Sequence, residues 1–180
     1  MREAGIRIYT IGHSNRSLEE FLALLKEFDI EALVDIRSQP GSRKFPHFNM
    51  EKLQIVLSRH GVRYLWLPKL GGRRHARKGF VSPNMGLTSP GFRSYADYMT
   101  EKEFREGVDE LLSVASESRT AYMCAEAVFW RCHRRLLSDY LLVHGAQVLH
   151  IFGPKTLRPH QITDGAQVTP ERNVIYPVIP

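Results

Sequence analysis

Residues 124–135, CAEAVFWRCHRR, hold both cysteines of the chain together with Glu126, His133, Arg131, Arg134 and Arg135. A cysteine attacks as its thiolate, and a helix amino terminus or a guanidinium nearby favours that form. Cys124 stands at the end of a predicted strand and just before a predicted helix, with Arg131 and Arg134 near in sequence. It is therefore the candidate nucleophile or redox centre, with Glu126 and His133 as candidate proton carriers. Arg131 and Arg134 are candidate anion ligands, because the planar guanidinium fork suits phosphate. Cys132 reads more simply as a small hydrophobe on an apolar face, and Glu126 equally well as an ion-pair partner of the arginines. Zinc motifs usually space their ligands two to four residues apart in a turn, whereas adjacent Cys132 and His133 on a helix point about 100° apart. A set of Cys124, His133 and His13 is conceivable, but no metal is expected. A Cys124–Cys132 disulfide stays open, since it needs Cα atoms within about 4.4–6.8 Å.

The elements that must position these residues follow from the hydrophobic pattern. A strand spans Ile6–Gly12, followed by His13-Ser14. Ser17 and Glu20 have capping-box spacing for a helix starting at Leu18, whose apolar face is Leu18, Phe21, Leu22, Leu25 and Phe28. A buried strand Ala32–Ile36 carries Asp35 and Arg37 on one face, where they can pair. A helix from Met50 to about His60 stops at Gly61, and a third strand covers Val62–Leu67. The stretch from Pro68 to about Pro90 lacks periodicity, and KLGGRRHARK within it, residues 69–78, carries five Lys or Arg and no acid. Its Arg73 and Arg74 join Ser14 and Arg37 as candidate anion ligands; a loop of this length is usually functional or disordered. A short helix Phe92–Met99 precedes one capped by Thr100 and Glu103 and running to about Ser116. The fourth strand is Thr120–Cys124 and the fifth Gln147–Phe152. Between them a helix from Val128 to about His144 closes at Gly145. On its wheel Phe129, Trp130, His133, Leu136, Leu137, Tyr140, Leu141 and Val143 share an inward arc, with Cys132 at its edge and Arg131, Arg134 and Arg135 outward. The tail from Gly153, with prolines at positions 154, 159, 170 and 177 among others, reads as mostly irregular.

Strands alternating with helices predict an α/β fold: a single domain, residues 1–180, with a mainly parallel five-stranded sheet flanked by helices and a long basic loop after strand three. In such sheets the loops leaving the carboxyl ends of the strands gather on one edge, where ligands bind. His13, Ser14, Asp35, Arg37, the Gly71-Gly72 loop, Cys124 and Glu126 converge there.

Composition bounds the function. A 180-residue chain that is 43% hydrophobic builds one sizeable core. No window approaches the roughly 18 apolar residues of a membrane span, so no membrane partner and a cytoplasmic location are expected. Two cysteines make no secreted disulfide framework. A net charge of +6 favours acidic partners: nucleic acid, nucleotides or other phosphorylated ligands. Nothing assigns a cofactor.

The blocks TIGHSNRSLEEF, LVDIRSQPGSRKFPHFN, LPKLGG, GFRSYADYM, MCAEAVFWRCHRRLL and VLHIF occur in order over nearly the whole chain. Through them the sequence resembles the bacterial and archaeal family called domain of unknown function 488. The resemblance implies an α/β fold and motif positions at His13, Ser14, Asp35, Arg37, Cys124, Glu126, Cys132, His133 and Arg134, with a loose association with DNA repair. The order of elements around VDIR and the cysteine is also similar to rhodanese-like and Cys-phosphatase domains. Their anion cradle needs small residues after the cysteine, and here Val128, Phe129 and Trp130 intervene. The leading expectation is an enzyme on a phosphate-bearing substrate; the rival is a nucleic-acid-binding module with a structural Cys/His cluster.

Overall fold

In the computed structural model, which describes residues 5–179, the central sheet has six strands in the order β3-β2-β4-β1-β5-β6. β1 (Arg7–Gly12), β2 (Ala32–Asp35), β3 (Arg63–Trp66), β4 (Thr120–Cys124) and β5 (Gln147–Gly153) run parallel, as the sequence pattern predicts. β4 lies at the centre, buried along its whole length, with Ala121 and Met123 facing one helical layer and Tyr122 and Cys124 the other. The first layer is α1 (Leu18–Glu27) and α2 (Met50–Arg59); the second is α3 (Pro90–Tyr98), α4 (Lys102–Glu117) and α5 (Arg134–Val143). Both layers bury a nearly continuous apolar stripe, the main stabilising term of such a sandwich.

The local signals for α1 and α2 hold. Ser17 Oγ accepts from the Glu20 amide at 3.1 Å while Glu20 Oε2 accepts from the Ser17 amide at 2.8 Å, closing the capping box. Gly61, with φ +71°, turns the chain after α2 where a side chain would be strained.

Four expectations are corrected. A sixth strand, β6 (Thr156–Pro159), pairs antiparallel with β5, so the sheet is larger than the five strands expected. Prolines 154 and 159 are tolerated because one precedes this edge strand and the other ends it. The tail also forms a small hairpin of β7 (Gln167–Val168) and β8 (Val174–Ile175). The Thr100–Glu103 box does not form: Glu101 occupies the cap position of α4, and Thr100 Oγ1 donates back to the Asp97 carbonyl at 2.9 Å. Finally, the helix expected from Val128 is broken. Phe129–Arg131 make a single 3-10 turn, Cys132 is extended with φ −141° and ψ 169°, and α5 starts only at Arg134. The break turns Arg134 inward, where its Nη2 donates to the carbonyls of Glu126 at 2.7 Å and Ala127 at 3.3 Å. Those carbonyls have no helical partner, and a continuous helix would have left Arg134 on the outer face.

The topology sets where chemistry can occur. β1 and β2 hand the chain to α1 and α2 on one face, whereas β4 hands it to α5 on the other. β4 lies between β1 and β2, so a crevice opens at its carboxyl end where the connections diverge. The ladder of β1 and β4 continues into this crevice, with His13 N donating to Cys124 O at 3.0 Å and Ser14 N to Ala125 O at 2.9 Å. Gly12 makes this approach possible: a Cβ there would lie 1.7 Å from the Glu126 carbonyl oxygen, a backbone atom. Gly12→Ala should therefore lower stability by at least about 1–3 kcal/mol, the usual penalty of overpacking. Urea unfolding checks this, and a midpoint equal to wild type contradicts it.

Candidate active site

Two buried polar clusters flank the crevice, one on each face of the sheet. On the α1/α2 face, Asp35 is fully buried and grips Arg37, with Nη2 to Oδ2 at 2.6 Å and Nε to Oδ1 at 2.9 Å. Tyr64 Oη donates to the same carboxylate at 2.6 Å, and Arg37 Nη2 also reaches the Phe48 carbonyl at 2.8 Å. A buried pair this well hydrogen-bonded fixes the rim; removing one partner of such a pair typically costs about 3–5 kcal/mol. His13 stacks on Phe48, with centroids 4.3 Å apart, and its Nδ1 lies 2.9 Å from the Ser14 carbonyl, so Nδ1 carries the proton. Its Nε2 then accepts from Arg37 Nη1 at 3.4 Å. Burial first, and the Arg37 charge after it, push the His13 pKa down to about 4. Ser14 is held at φ +49°, a left-handed conformation uncommon outside glycine.

On the α5 face the two sulfurs meet. Cys124 and Cys132 are free thiols with Sγ atoms 3.0 Å apart, and both are nearly fully buried. Arg134 lies beneath them at 1% exposure, its Nε donating to Cys124 Sγ at 3.0 Å and to Cys132 Sγ at 3.4 Å. The backbone amide of Arg134, at the first position of α5, donates to Cys132 Sγ at 3.2 Å. The two thiols diverge in consequence. Burial pushes Cys124 well above its ordinary value, helped by its hydrogen bond to Cys132. At Cys132 burial also opposes ionisation, but the hydrogen bond from Cys124 and the charge and donors of Arg134 outweigh it and bring its pKa down to about 7. Cys132 accepts from two Arg134 N–H groups and Cys124 from one, which favours Cys132 over Cys124 as the member of the pair to ionise.

A hydrogen-bonded chain leads from this pair into the core. Arg134 Nη1 donates to Thr10 Oγ1 at 3.0 Å, and Thr10 Oγ1 lies 2.8 Å from His150 Nδ1. His150 Nε2 lies 2.9 Å from His160 Nδ1, and His160 Nε2 2.8 Å from Asp139 Oδ1. The Asp139 carboxylate, which also accepts from Thr163 N and Tyr176 Oη, sets the direction: each histidine donates through Nε2, and Thr10 donates to His150. Thr10 is thereby left as an acceptor facing Arg134. Burial, then repulsion from His160 and Arg134, lowers the His150 pKa to about 2, which suits its stacking 3.7 Å from Phe129.

An open cavity of about 1100 Å³ lies over the crevice. It brings together His13, Ser14, Arg37, Arg73, Cys124, Glu126, Arg131, Cys132 and His133 from the sequence-derived set. Asp35 and Arg134 stand behind it, acting through Arg37 and the cysteines. Arg74 is turned away: its guanidinium donates to the carbonyls of Gly71, Pro68 and Lys69 and lies 3.7 Å over the Tyr98 ring. Glu126 is exposed at the cavity edge and, among the described residues, is the only carboxylate lining it. His133, placed on a helix face by the sequence pattern, instead caps α5, donating from Nε2 to the Ile36 carbonyl at 3.1 Å. Its ring fits because Gly72 has no side chain; a Cβ there would lie 2.4 Å from Nδ1. Burial lowers its pKa to about 4, so it is neutral near pH 7. Among the described residues no group of three or more His, Cys, Asp or Glu converges as metal ligands.

Several site residues were not among the candidates drawn from the sequence. Lys44, Phe45, Phe92 and Trp130 line the cavity, and each lies within one of the ordered blocks, but none was a candidate site residue. Thr10, His150 and His160 looked like strand and tail residues; the pairing of β1 with β5 sets Thr10 opposite His150, and the pairing of β5 with β6 brings His160 beside it.

Fold and site define a three-layer α/β protein with a thiol–arginine centre at the carboxyl rim of its sheet. A family model described as Domain of unknown function DUF488 matches residues 17–141, so the chain belongs to that family. No curated protein and no solved structure matches it. Among the described residues no helix is long and apolar enough to cross a membrane.

The depressed histidines make a pH signature. An unfolded histidine takes up a proton near pH 6.5, whereas His13 and His133 stay neutral down to about 4 and His150 to about 2. Below pH 6.5 the unfolded chain therefore binds more protons, and stability should fall steadily from about pH 6.5 to about pH 4. Urea midpoints across that window test it, and a midpoint that holds level or rises on acidification contradicts it.

Proposed function

We propose that the rim is an active site in which the Cys132 thiolate attacks a phosphate-bearing substrate, a nucleotide or a stretch of nucleic acid. The observation that carries this reading is the lining of the cavity: Lys44, Arg73 and Arg131, beside an Arg37 already held by Asp35, against Glu126, the one carboxylate among its described lining residues, arranged around a thiol pair. Such a surface concentrates anions. Aromatic rings on the same walls, Phe45, Phe92 and the 44% exposed Trp130, offer faces for a base to stack on. Glu126 is the group available to pass a proton at the cavity edge, while His13 and His133 remain neutral and hold loops in place.

The anion would be bound by side chains at the mouth, not in a cradle of backbone amides. The amide that opens α5 is directed at Cys132 Sγ, and Arg134 is wholly engaged with sulfur, carbonyl and hydroxyl partners. This removes Arg134 from the anion ligands and makes it the group that sustains the thiolate. It also moves the nucleophile from Cys124, favoured by sequence position, to Cys132. The rival reading, a non-catalytic nucleic-acid-binding module, loses much of its support with the basic loop. There Lys69 pairs with Glu106 and Glu110, Arg77 with Glu101, and Arg74 with carbonyls, leaving few free cations to meet a phosphate backbone.

Calorimetric titration with nucleoside monophosphates and a short single-stranded oligonucleotide tests the reading. Affinity should weaken as salt rises and fall about tenfold or more in an Arg73→Gln/Arg131→Gln double variant, since charge-assisted hydrogen bonds contribute roughly 1.5–3 kcal/mol each. Cys132→Ser should keep the binding. No binding to either probe, or equal binding by the double variant, would contradict the proposal.

A further inference from the structure

The geometry points to a second use of the same centre: Cys124 and Cys132 form a dithiol–disulfide couple that reduces a hydroperoxide, with Cys132 as the attacking and Cys124 as the resolving sulfur. The inference rests on the Cys132 thiolate invoked above but not on a phosphate-bearing substrate.

Three observations carry it. The sulfurs are already 3.0 Å apart and both are free, so bond formation requires them to close by about 1 Å. Cys132 lies in an extended segment between a 3-10 turn and α5, outside both sheet and helix, where a small shift breaks few backbone bonds. Access is sufficient for a small oxidant: both cysteines border the open cavity, with Cys132 6% and Cys124 3% exposed, so a peroxide oxygen can reach the pair.

The chemistry balances in two steps. The Cys132 thiolate attacks one oxygen of ROOH; an S–O bond forms, the O–O bond breaks, and the leaving alkoxide or hydroxide takes a proton from solvent in the cavity. The Cys132 sulfenic acid and an alcohol or water result. Cys124 then attacks the sulfenic sulfur; the S–S bond forms, the S–O bond breaks, and the Cys124 proton leaves with the hydroxide as water. Both sulfurs are oxidised by one electron each and the peroxide is reduced by two. A dithiol reductant returns the pair to its starting state by exchange. Arg134 favours the reduced form, since its guanidinium is hydrogen-bonded to a thiolate that the disulfide abolishes.

The test treats the full-length protein with an equimolar amount of hydrogen peroxide, followed by thiol titration and intact mass. Wild type should lose both titratable thiols and two hydrogens in mass, and dithiothreitol should restore both. Cys124→Ser should stop at a sulfenic acid on Cys132, trapped by dimedone, while Cys132→Ser should react at least about tenfold more slowly. If Cys132→Ser fails to fold, dimedone mapping on briefly oxidised wild type still identifies the attacking sulfur. Two thiols surviving peroxide, oxygenated sulfurs formed without a disulfide, or equal rates in the two variants would overturn the proposal. None of these readouts depends on nucleotide binding, so the failure of either proposal is distinguishable from that of the other.

Discussion

The structure turns on one buried cation. Arg134 has 1% of its surface exposed, yet among the described residues no carboxylate pairs with it. A guanidinium stays charged, and a buried charge without a counter-charge is among the most costly features a fold can carry. Neutral acceptors surround it: the carbonyls of Glu126 and Ala127 and the Thr10 hydroxyl. The nearest groups able to carry a negative charge are the two cysteine sulfurs. Arg134 thus does three things at once: it bonds across the break between the 3-10 turn and α5, ties the end of β4 to β1, and donates to both sulfurs at the bottom of the rim.

The rest of the site is arranged to keep that cation aimed. Thr10 presents an acceptor to Arg134 because its own proton is directed to His150, and the direction is set at the far end by Asp139. On the opposite face of the sheet the Asp35–Arg37 pair, tied to Tyr64 and Phe48, fixes the loop after β2 and sets His13 against the end of β4. Both clusters meet at the crevice that strand order creates between β2, β4 and β1. Gly12 and Gly72 are the positions where this convergence needs an absent side chain, one for the Glu126 backbone and one for the His133 ring.

Much of this was legible in the sequence and the remainder was not, for physical reasons. Alternating apolar runs and caps placed the five parallel strands, and a parallel sheet obliges the loops after β1, β2 and β4 to gather on one edge. That alone places His13, Asp35, Arg37, Cys124 and Glu126 together. The segment from Val128 to His133 was misread because Phe129, Leu136 and Tyr140 keep helical phase across a real break. No proline or glycine marks it; the cause is a long-range contact, Arg134 to Thr10 and the strand-end carbonyls, which local propensity does not record. The same contact is why we assign the proposed thiolate to Cys132 and not to Cys124. Position before a helix favoured Cys124, but the helix starts ten residues later than Cys124 and its first amide reaches Cys132. Distant partners also hid Thr10, His150 and His160, joined only by strand register.

The account stands on an ionised Cys132 held by Arg134, and thiolate absorbance near 240 nm reads this directly as pH is raised. Wild type should show one thiolate per chain with a midpoint of about 7. The step should persist in Cys124→Ser, with a shifted midpoint, vanish in Cys132→Ser, and move upward in Arg134→Met. An absence of absorbance until the ordinary thiol range near 9, or a step that survives in Cys132→Ser, would contradict the account.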